Sequence, residues 1–464
     1  MKRLILIFIL LPGLGMAQPD SIHILTYAEY MQRVQGHHPL AIQADLALER
    51  GEAGVLQSRG AFDPKTFADV GQKYFDDKTY YSRVHGGLKI PTWFGLEVAG
   101  GFQQNDGVFL NPAETLPEDG LWYAGITVPL GQNLFIDQRR TELRKAKIYR
   151  ESTEAERQVL LNELLLNAGK VYWNWFQAYH AREVYRDAVI AAQQRLGAVK
   201  LSAKLGDRPQ IDTLEAGLQL QNRQMDLQQA ELEVTNASAA LSVYMWEEGS
   251  IPLEPAAGTQ PSPPDSINSE TPIVDFESFI QNHPELQQYR YKIKQLELDK
   301  RLKKERLKPE VNLKYNALLE PVGTETWENY NSANYTWGLE FSFPLFLRKE
   351  RGALKMADIY IRESEYELQY KEQALRYQLQ TAVNEWQTTG SQLDIFRRTV
   401  RDYESLLKGE RRKFEAGESS LFMVNSRELN LINSQVKLLQ LQSKRKEKEL
   451  EILFRHGKLF SSFP

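Results

Sequence analysis

The chain has 464 residues, a net charge of −4 and no cysteine, with a mean hydropathy of −0.48. This composition excludes a disulfide framework, a thiolate metal site and a cysteine nucleophile, and it gives no basic footprint for nucleic acid. The length admits two or three ordinary domains or one long, repeated architecture, and the low hydropathy suits long helices wetted on more than one face.

The first residues, MKRLILIFILLPGLGMAQ, join Lys2 and Arg3 to an apolar run from Leu4 to Leu14, with small residues at Gly15 and Ala17. This is the layout of a secretory signal peptide over residues 1–17, and no cysteine follows to carry a lipoprotein's lipid. The run is too short to stay as a membrane helix. No other segment offers about 18 uncharged apolar residues, so any membrane insertion has to use β-strands.

Two halves with one internal order follow, a first repeat over 18–246 and a second over 276–457, with a tail at 458–464. The Pro/Ser-rich stretch 247–275 between them reads as a linker. HHPLAIQADLALERGEAGVLQSRGAFDP answers to NHPELQQYRYKIKQLELDKRLKKERLKP: a His-Pro start, a helical run, then Pro64 or Pro309. Next come strands closed by an apolar-Pro-Leu step, WYAGITVPL and TWGLEFSFPL. His38 to His283 and Pro64 to Pro309 share one offset, whereas Pro129 to Pro344 and Gly206 to Gly417 differ from it by roughly 30 residues, the size of an inserted hairpin or loop. TYYSRVHGGLKI and FGLEVAGGFQQ alternate like strands and place that insertion between Pro64 and Pro129. Asp76-Asp77 reads as an exposed turn there.

The longest helical patterns run from about Asp137 to Leu205 and from Lys349 to Ala416, each on the order of 100 Å at 1.5 Å per residue. Shorter ones cover Tyr27 to Arg59, Ile211 to Trp246, Phe276 to Leu307 and Leu421 to Leu453. Ile211, Leu218, Met225, Leu232, Ala239 and Trp246 recur every seven residues. Phe422, Leu429 and Val436, with Ile432, Leu439 and Leu453, form a second seam that Ser443 and Lys446 interrupt. Both patterns predict long coiled-coil hairpins. The helices break at LGDRPQIDTLEA and again at AGESSLFMVNSRE, where Gly206 and Gly417 supply the left-handed closing residue, and Pro209 and Ser419 or Ser420 suit the next helix start.

Taken in order, the duplicated layout, the His-Pro starts, VPL and FPL, NAGKVYWNWFQA in the first long helix and the two tip turns resemble the TolC family of outer-membrane efflux proteins over nearly the whole chain after the signal peptide. The resemblance implies a mainly α fold with a β-barrel portion. In it a long antiparallel coiled-coil α-helical tunnel crosses the periplasm and a transmembrane β-barrel is shared by a homotrimer. It implies an outer-membrane channel of a tripartite efflux or type I secretion system, partnered by a periplasmic adaptor protein, an inner-membrane transporter and outer-membrane lipid. The tip residues Gly206, Asp207, Arg208, Asp212, Gly417, Glu418, Ser419 and Ser420 would then form the aperture and meet the adaptor. Asp212 falls where the family often has a tip aspartate. The second repeat carries Met423 at the equivalent place, and Ser419 stands where some members have a basic gating residue. The basic residues Lys200, Lys204, Arg208, Arg411, Arg412 and Lys413 read as a solvated face or a contact for an acidic adaptor patch.

Trp93, Phe94, Trp122, Tyr123, Tyr335 and Trp337 flank or lie in strands, where a membrane-interface belt competes with ordinary strand packing. Tyr172, Trp175 and Tyr179 follow helical spacing with Leu161, Leu165 and Ala168 and read as core. His37 and His38 are neighbours without a third ligand and do not make a metal site. No HExxH, GxSxG or phosphate-binding loop occurs, so no enzymatic activity and no cofactor is expected. The competing reading is a soluble periplasmic coiled-coil adaptor or scaffold, which the presence of two hairpins in a duplicated frame disfavours.

Overall fold

The computed structural model describes residues 23–256, 258–266, 276–320 and 331–462. The leader at 1–17 and part of the 247–275 stretch lie outside the described residues. In chain order the elements are β1 (Ile24–Leu25), α1 (Tyr27–His37), α2 (Pro39–Arg59), β2 (Lys65–Phe75), β3 (Lys78–Pro91), β4 (Glu97–Asp106), β5 (Leu121–Pro129), α3 (Gln138–Leu205) and α4 (Gln210–Ser242). After these come β6 (Trp246–Glu247), β7 (Ile251–Pro252), β8 (Gln260–Pro261), α5 (Phe276–Asn282), α6 (Pro284–Glu305), β9 (Glu310–Leu319), β10 (Tyr335–Ser342), α7 (Arg348–Glu415) and α8 (Leu421–Arg455). The chain divides into two units, one of residues 1–41, 162–273 and 379–464, the other of 42–161 and 274–378.

The helical run expected over Tyr27 to Arg59 is broken at His38, because Pro39 supplies no N–H and disfavours helix in the residue before it. His38 is extended at ψ 134°, and its Nδ1 accepts the Leu40 N–H at 3.1 Å. That nitrogen is engaged in the chain's own turn. Phe276 to Leu307 is divided in the same way at His283-Pro284.

The second unit holds the sheet, whose order is β10-β9-β5-β4-β3-β2, antiparallel throughout. The insertion expected between Pro64 and Pro129 is the hairpin β3–β4, so the first half contributes four strands and the second two. Asp76 and Asp77 both take left-handed φ (52° and 54°), the geometry of a two-residue type I′ hairpin turn. In the middle of β3 and β4, a Cβ on Gly101 would lie 2.8 Å from the Tyr123 hydroxyl, so glycine there makes room for that ring. In the same unit ion pairs tie helix to helix: Arg157 of α3 to Asp45 of α2 (2.5 Å), Lys145 of α3 to Asp299 of α6 (3.1 Å), and Lys300 of α6 to Asp358 of α7 (2.6 Å).

The first unit packs α1, α4, α8 and the later parts of α3 and α7. Tyr172, Trp175 and Phe176 are fully buried, and the Tyr172 hydroxyl donates to the Leu25 carbonyl at 2.8 Å. The stretch read as a linker is attached where it is described. Gln260-Pro261 pairs in parallel with Ile24-Leu25, and the Ser262 carbonyl lies 3.0 Å from His180 Nε2. Ser443, which interrupts the expected seam, is a buried hydroxyl donating to the Trp173 carbonyl at 2.8 Å.

One seam differs from its sequence reading. Ile211, Leu218, Met225 and Leu232 are 69%, 61%, 67% and 53% exposed, while α4 buries a second heptad stripe, Ala216, Arg223, Ala230 and Ala237. Small side chains let neighbouring helices approach closely, so the alanine stripe takes the inside and the larger apolar stripe is left outside. Phe422 and Leu429 are likewise exposed, whereas Ile432 and Leu439 of the same seam are buried.

The C-terminal turn is held by one buried amide. Asn162 Nδ2 donates to the Gly457 carbonyl (3.2 Å) and its Oδ1 accepts the Phe460 N–H (2.8 Å). Asn162→Ala leaves both backbone groups without this partner and is expected to cost about 2 kcal/mol. Carboxypeptidase digestion should remove the C-terminal residues faster in the variant, with far-ultraviolet circular dichroism unchanged.

Candidate functional site

The two predicted tips form by the same backbone chemistry. At the end of α3, Gly206 sits at φ +86°, its N–H bonds the Ala203 carbonyl (3.2 Å), and the Asp207 N–H reaches back to Ser202 (3.0 Å). At the end of α7, Gly417 sits at φ +79°, its N–H bonds Phe414 (3.2 Å), and the Glu418 N–H reaches Lys413 (2.8 Å). These are Schellman closures, which need a residue free of the Cβ penalty at the left-handed position. The next helices start at Pro209, whose carbonyl accepts the Asp212 N–H, and at Ser420, whose Oγ accepts the Met423 N–H at 3.3 Å.

The polar tip residues are tied down locally. Arg208 pairs with Asp212 at 3.7 Å and lays its guanidinium 3.9 Å from the Phe414 ring centroid. Ser419 donates to Glu410 at 2.5 Å, and Glu410 is also 3.7 Å from Arg427. Beneath the turns Val199, Ala216 and Leu421 form a small buried cluster, with Leu196 and Phe414 against it. The tips therefore pack on each other, and the Arg208 cation belongs partly to that packing.

Just behind this cluster lies a network that the sequence reading missed. Glu428 on α8 is buried, paired with Arg195 of α3 through both carboxylate oxygens and with Arg411 of α7 at 2.9 Å. Asn425 accepts from Arg195 (2.9 Å) and donates to Glu215 of α4 (3.1 Å). Three helices meet at one carboxylate, and Asn425 beside it ties in α4. Burial works to raise the Glu428 carboxyl, but the Arg195 hydrogen bonds and charge, with Arg411 behind them, hold it below the usual glutamate range. A signal was available: Glu428 stands four residues before Ile432 of the seam, a charge at seam spacing.

The sheet is the second candidate surface. One face is apolar across all six strands, through Ala68 and Val70, Val84 and Leu88, Val98 and Phe102, Trp122 and Ile126, Leu313 and Tyr315, and Trp337, Leu339 and Phe341. The other carries Asp69, Arg83, His85, Lys89, Gln103, Thr127, Lys314 and Glu340. Tyr123 belongs to this polar face, 2.9 Å from His85 Nε2, and so points away from its neighbour Trp122. Trp93 and Phe94 occupy the β3–β4 turn at the end of the strands that joins the helices, with Trp93 stacked on Phe62 at 5.6 Å. Phe135 and Phe346, both exposed, follow the last residues of β5 and β10 at that same end. Tyr335, at the start of β10, marks the opposite end with Tyr74, Phe75 and Phe109, all exposed. Aromatic residues thus stand at both ends of an apolar band.

Residues 276–456 match the sequence pattern of the family described as outer membrane efflux protein. No curated protein matches the chain. Its fold is similar to that of the open state of the MtrE outer membrane channel of Neisseria gonorrhoeae (TM-score 0.70, 13% identity, covering 93% of this chain and 89% of that one). It is also similar to the CmeC outer membrane channel of Campylobacter jejuni (0.65, 13%, 93% and 85%) and to the outer membrane protein VceC of Vibrio cholerae (0.65, 14%, 92% and 95%). At such identities the likeness shows a common fold.

Removing the central carboxylate tests the tip network. Glu428→Ala leaves Arg195 buried without its main partner and is expected to destabilise the hairpin ends by about 3 kcal/mol. Limited proteolysis should then cut near 206–209 and 417–420 at neutral pH. Because the folded pKa of Glu428 is depressed, its contribution is present above the ordinary glutamate pKa and is lost as pH falls through the lowered value. The unmodified protein should keep its tips protected until the pH drops below the glutamate range, and the variant should lack that step.

Proposed function

We propose that this chain, whose residues 276–456 match the outer membrane efflux protein family, is one subunit of a homotrimeric outer-membrane channel. The channel is the passive exit duct of a tripartite efflux or type I secretion system. The observation that carries the reading is the sheet: apolar on one face, polar on the other, and ending in two edges, β2 and β10, unpaired among the described residues. Lipid tolerates an apolar face but no open edge, so the sheet becomes a membrane wall only when further copies close it. A soluble adaptor would have no use for an exposed band of Trp337, Leu339 and Phe341.

In this reading the leader at 1–17 is removed on export, and the two repeats, 18–246 and 276–457, supply the strands and helical hairpins. The turns at Gly206, Asp207, Arg208 and Asp212 and at Gly417, Glu418, Ser419 and Ser420 face the periplasm and meet the hairpins of an adaptor, which links the duct to an inner-membrane transporter. Three copies of Asp212 would stand near the axis, so Asp212→Ala should change single-channel conductance and cation preference. Trp93, Phe94, Trp122, Tyr335 and Trp337 would anchor the wall in lipid. The protein performs no chemistry; it is a conduit.

The exposed heptad stripe of α4 is a coiled-coil seam for a second copy. Leu218→Glu together with Met225→Glu should leave the protomer helical yet abolish trimers, read by native mass spectrometry in detergent. The reading as a whole is tested by negative-stain imaging of protein extracted from isolated outer membranes. Elongated three-fold particles support it, and protein that stays soluble in the periplasm overturns it.

A further inference from the structure

The inserted hairpin changes how many strands each subunit brings to the wall. We infer that β3 and β4 are wall strands rather than a plug or an external flap. Three copies of the six-stranded sheet would then close through β2–β10 contacts into an eighteen-stranded barrel. This rests on the trimeric reading above.

Three observations carry the inference. First, β3 and β4 are 14 and 10 residues long, enough to cross the hydrocarbon layer at a barrel's tilt. Second, they keep the sheet's alternation in phase: Val84, Leu88 and Val98 share the apolar face, while Arg83, Lys89 and Glu97 share the polar one. A plug would be wetted on both faces, and a flap outside the wall would present charge to lipid.

Third, the sheet is sheared as a closed barrel requires. Thr66, Leu88, Gly100, Ala124, Ala317 and Tyr335 are successive cross-strand partners. That line crosses β2 beside its first residue and meets β10 at its first residue. Since β2 and β10 run in opposite directions, it passes from the helix-joined end of one edge to the far end of the other, a stagger of nearly one strand length. Strand number, tilt and stagger are linked in any closed barrel, and a flat sheet would show no such offset.

Opposite strand directions also mean that β10 of one copy meets β2 of the next antiparallel, as an even number of strands per copy demands. Matching faces restricts the register, because the apolar residues of β10 must stand beside apolar-face residues of β2. Keeping all of β10 (Tyr335–Ser342) against β2 (Lys65–Phe75) leaves two choices, which place Leu339 beside either Val70 or Ala68 of the next copy.

The chain has no cysteine, so engineered pairs report without background. Val70→Cys/Leu339→Cys and Ala68→Cys/Leu339→Cys are oxidised in outer membranes, with Asp69→Cys/Leu339→Cys as the opposite-face control. Native mass and particle images are recorded for each. Covalent trimers from one of the first two pairs and none from the control support the inference. They should accompany a barrel about one and a half times the diameter of one made from four strands per copy. Three-fold particles with a narrow barrel and no cross-link at either pair overturn the eighteen-stranded wall but leave the trimer. A cross-link in the control overturns the face assignment. Absence of three-fold particles overturns the trimer itself.

Discussion

The constraint on which the proposed function depends is the hydrogen bonding of a strand edge in lipid. Each backbone N–H and C=O left without a partner in hydrocarbon costs several kcal/mol, so a sheet there must close on itself. A protomer that contributes six strands has two edges and cannot close alone. In the proposed trimer further copies would pair those edges, and the apolar face exposed in one protomer would join a wall completed by the others.

The helices solve a different problem. α3 and α7 are long helices rich in charge, which limits the apolar surface they can bury. The units are accordingly held by alanine stripes that allow close approach and by ion pairs at intervals. The pair of Glu428 with Arg195 is the extreme case. A buried carboxylate adds little net stability over an apolar replacement, but it has one arrangement that satisfies it. In a heptad seam that could slide by a turn, such a group fixes the register of α3, α7 and α8 near the tips.

The two stripes of α4 show how one helix serves two contacts. Ala216, Ala230 and Ala237 face inward, whereas Ile211, Leu218 and Met225 face outward at the same seven-residue spacing. Apolar periodicity alone ranks the bulkier stripe first. Packing reverses the ranking, because small side chains allow close helix–helix approach and the large ones are left exposed.

What the sequence determined by itself is the set of periods and breaks. Two 68-residue helices are legible within a residue or two of their ends, since no proline interrupts Gln138 to Leu205 or Arg348 to Glu415 and a glycine closes each. The tip turns, the Asp76-Asp77 turn and the extra strand pair are legible for the same local reason: Gly, Pro and Asp choose backbone conformations without help from distant residues. Only the tertiary structure decided which α4 stripe is inside, that β5 pairs with β9, that Tyr123 turns toward His85, and that Glu428 gathers charges from two other helices. A period assigns a residue to a face. The partner of that face comes from elsewhere in the chain, and it is set by competition between packing, charge and edge pairing that no local pattern contains.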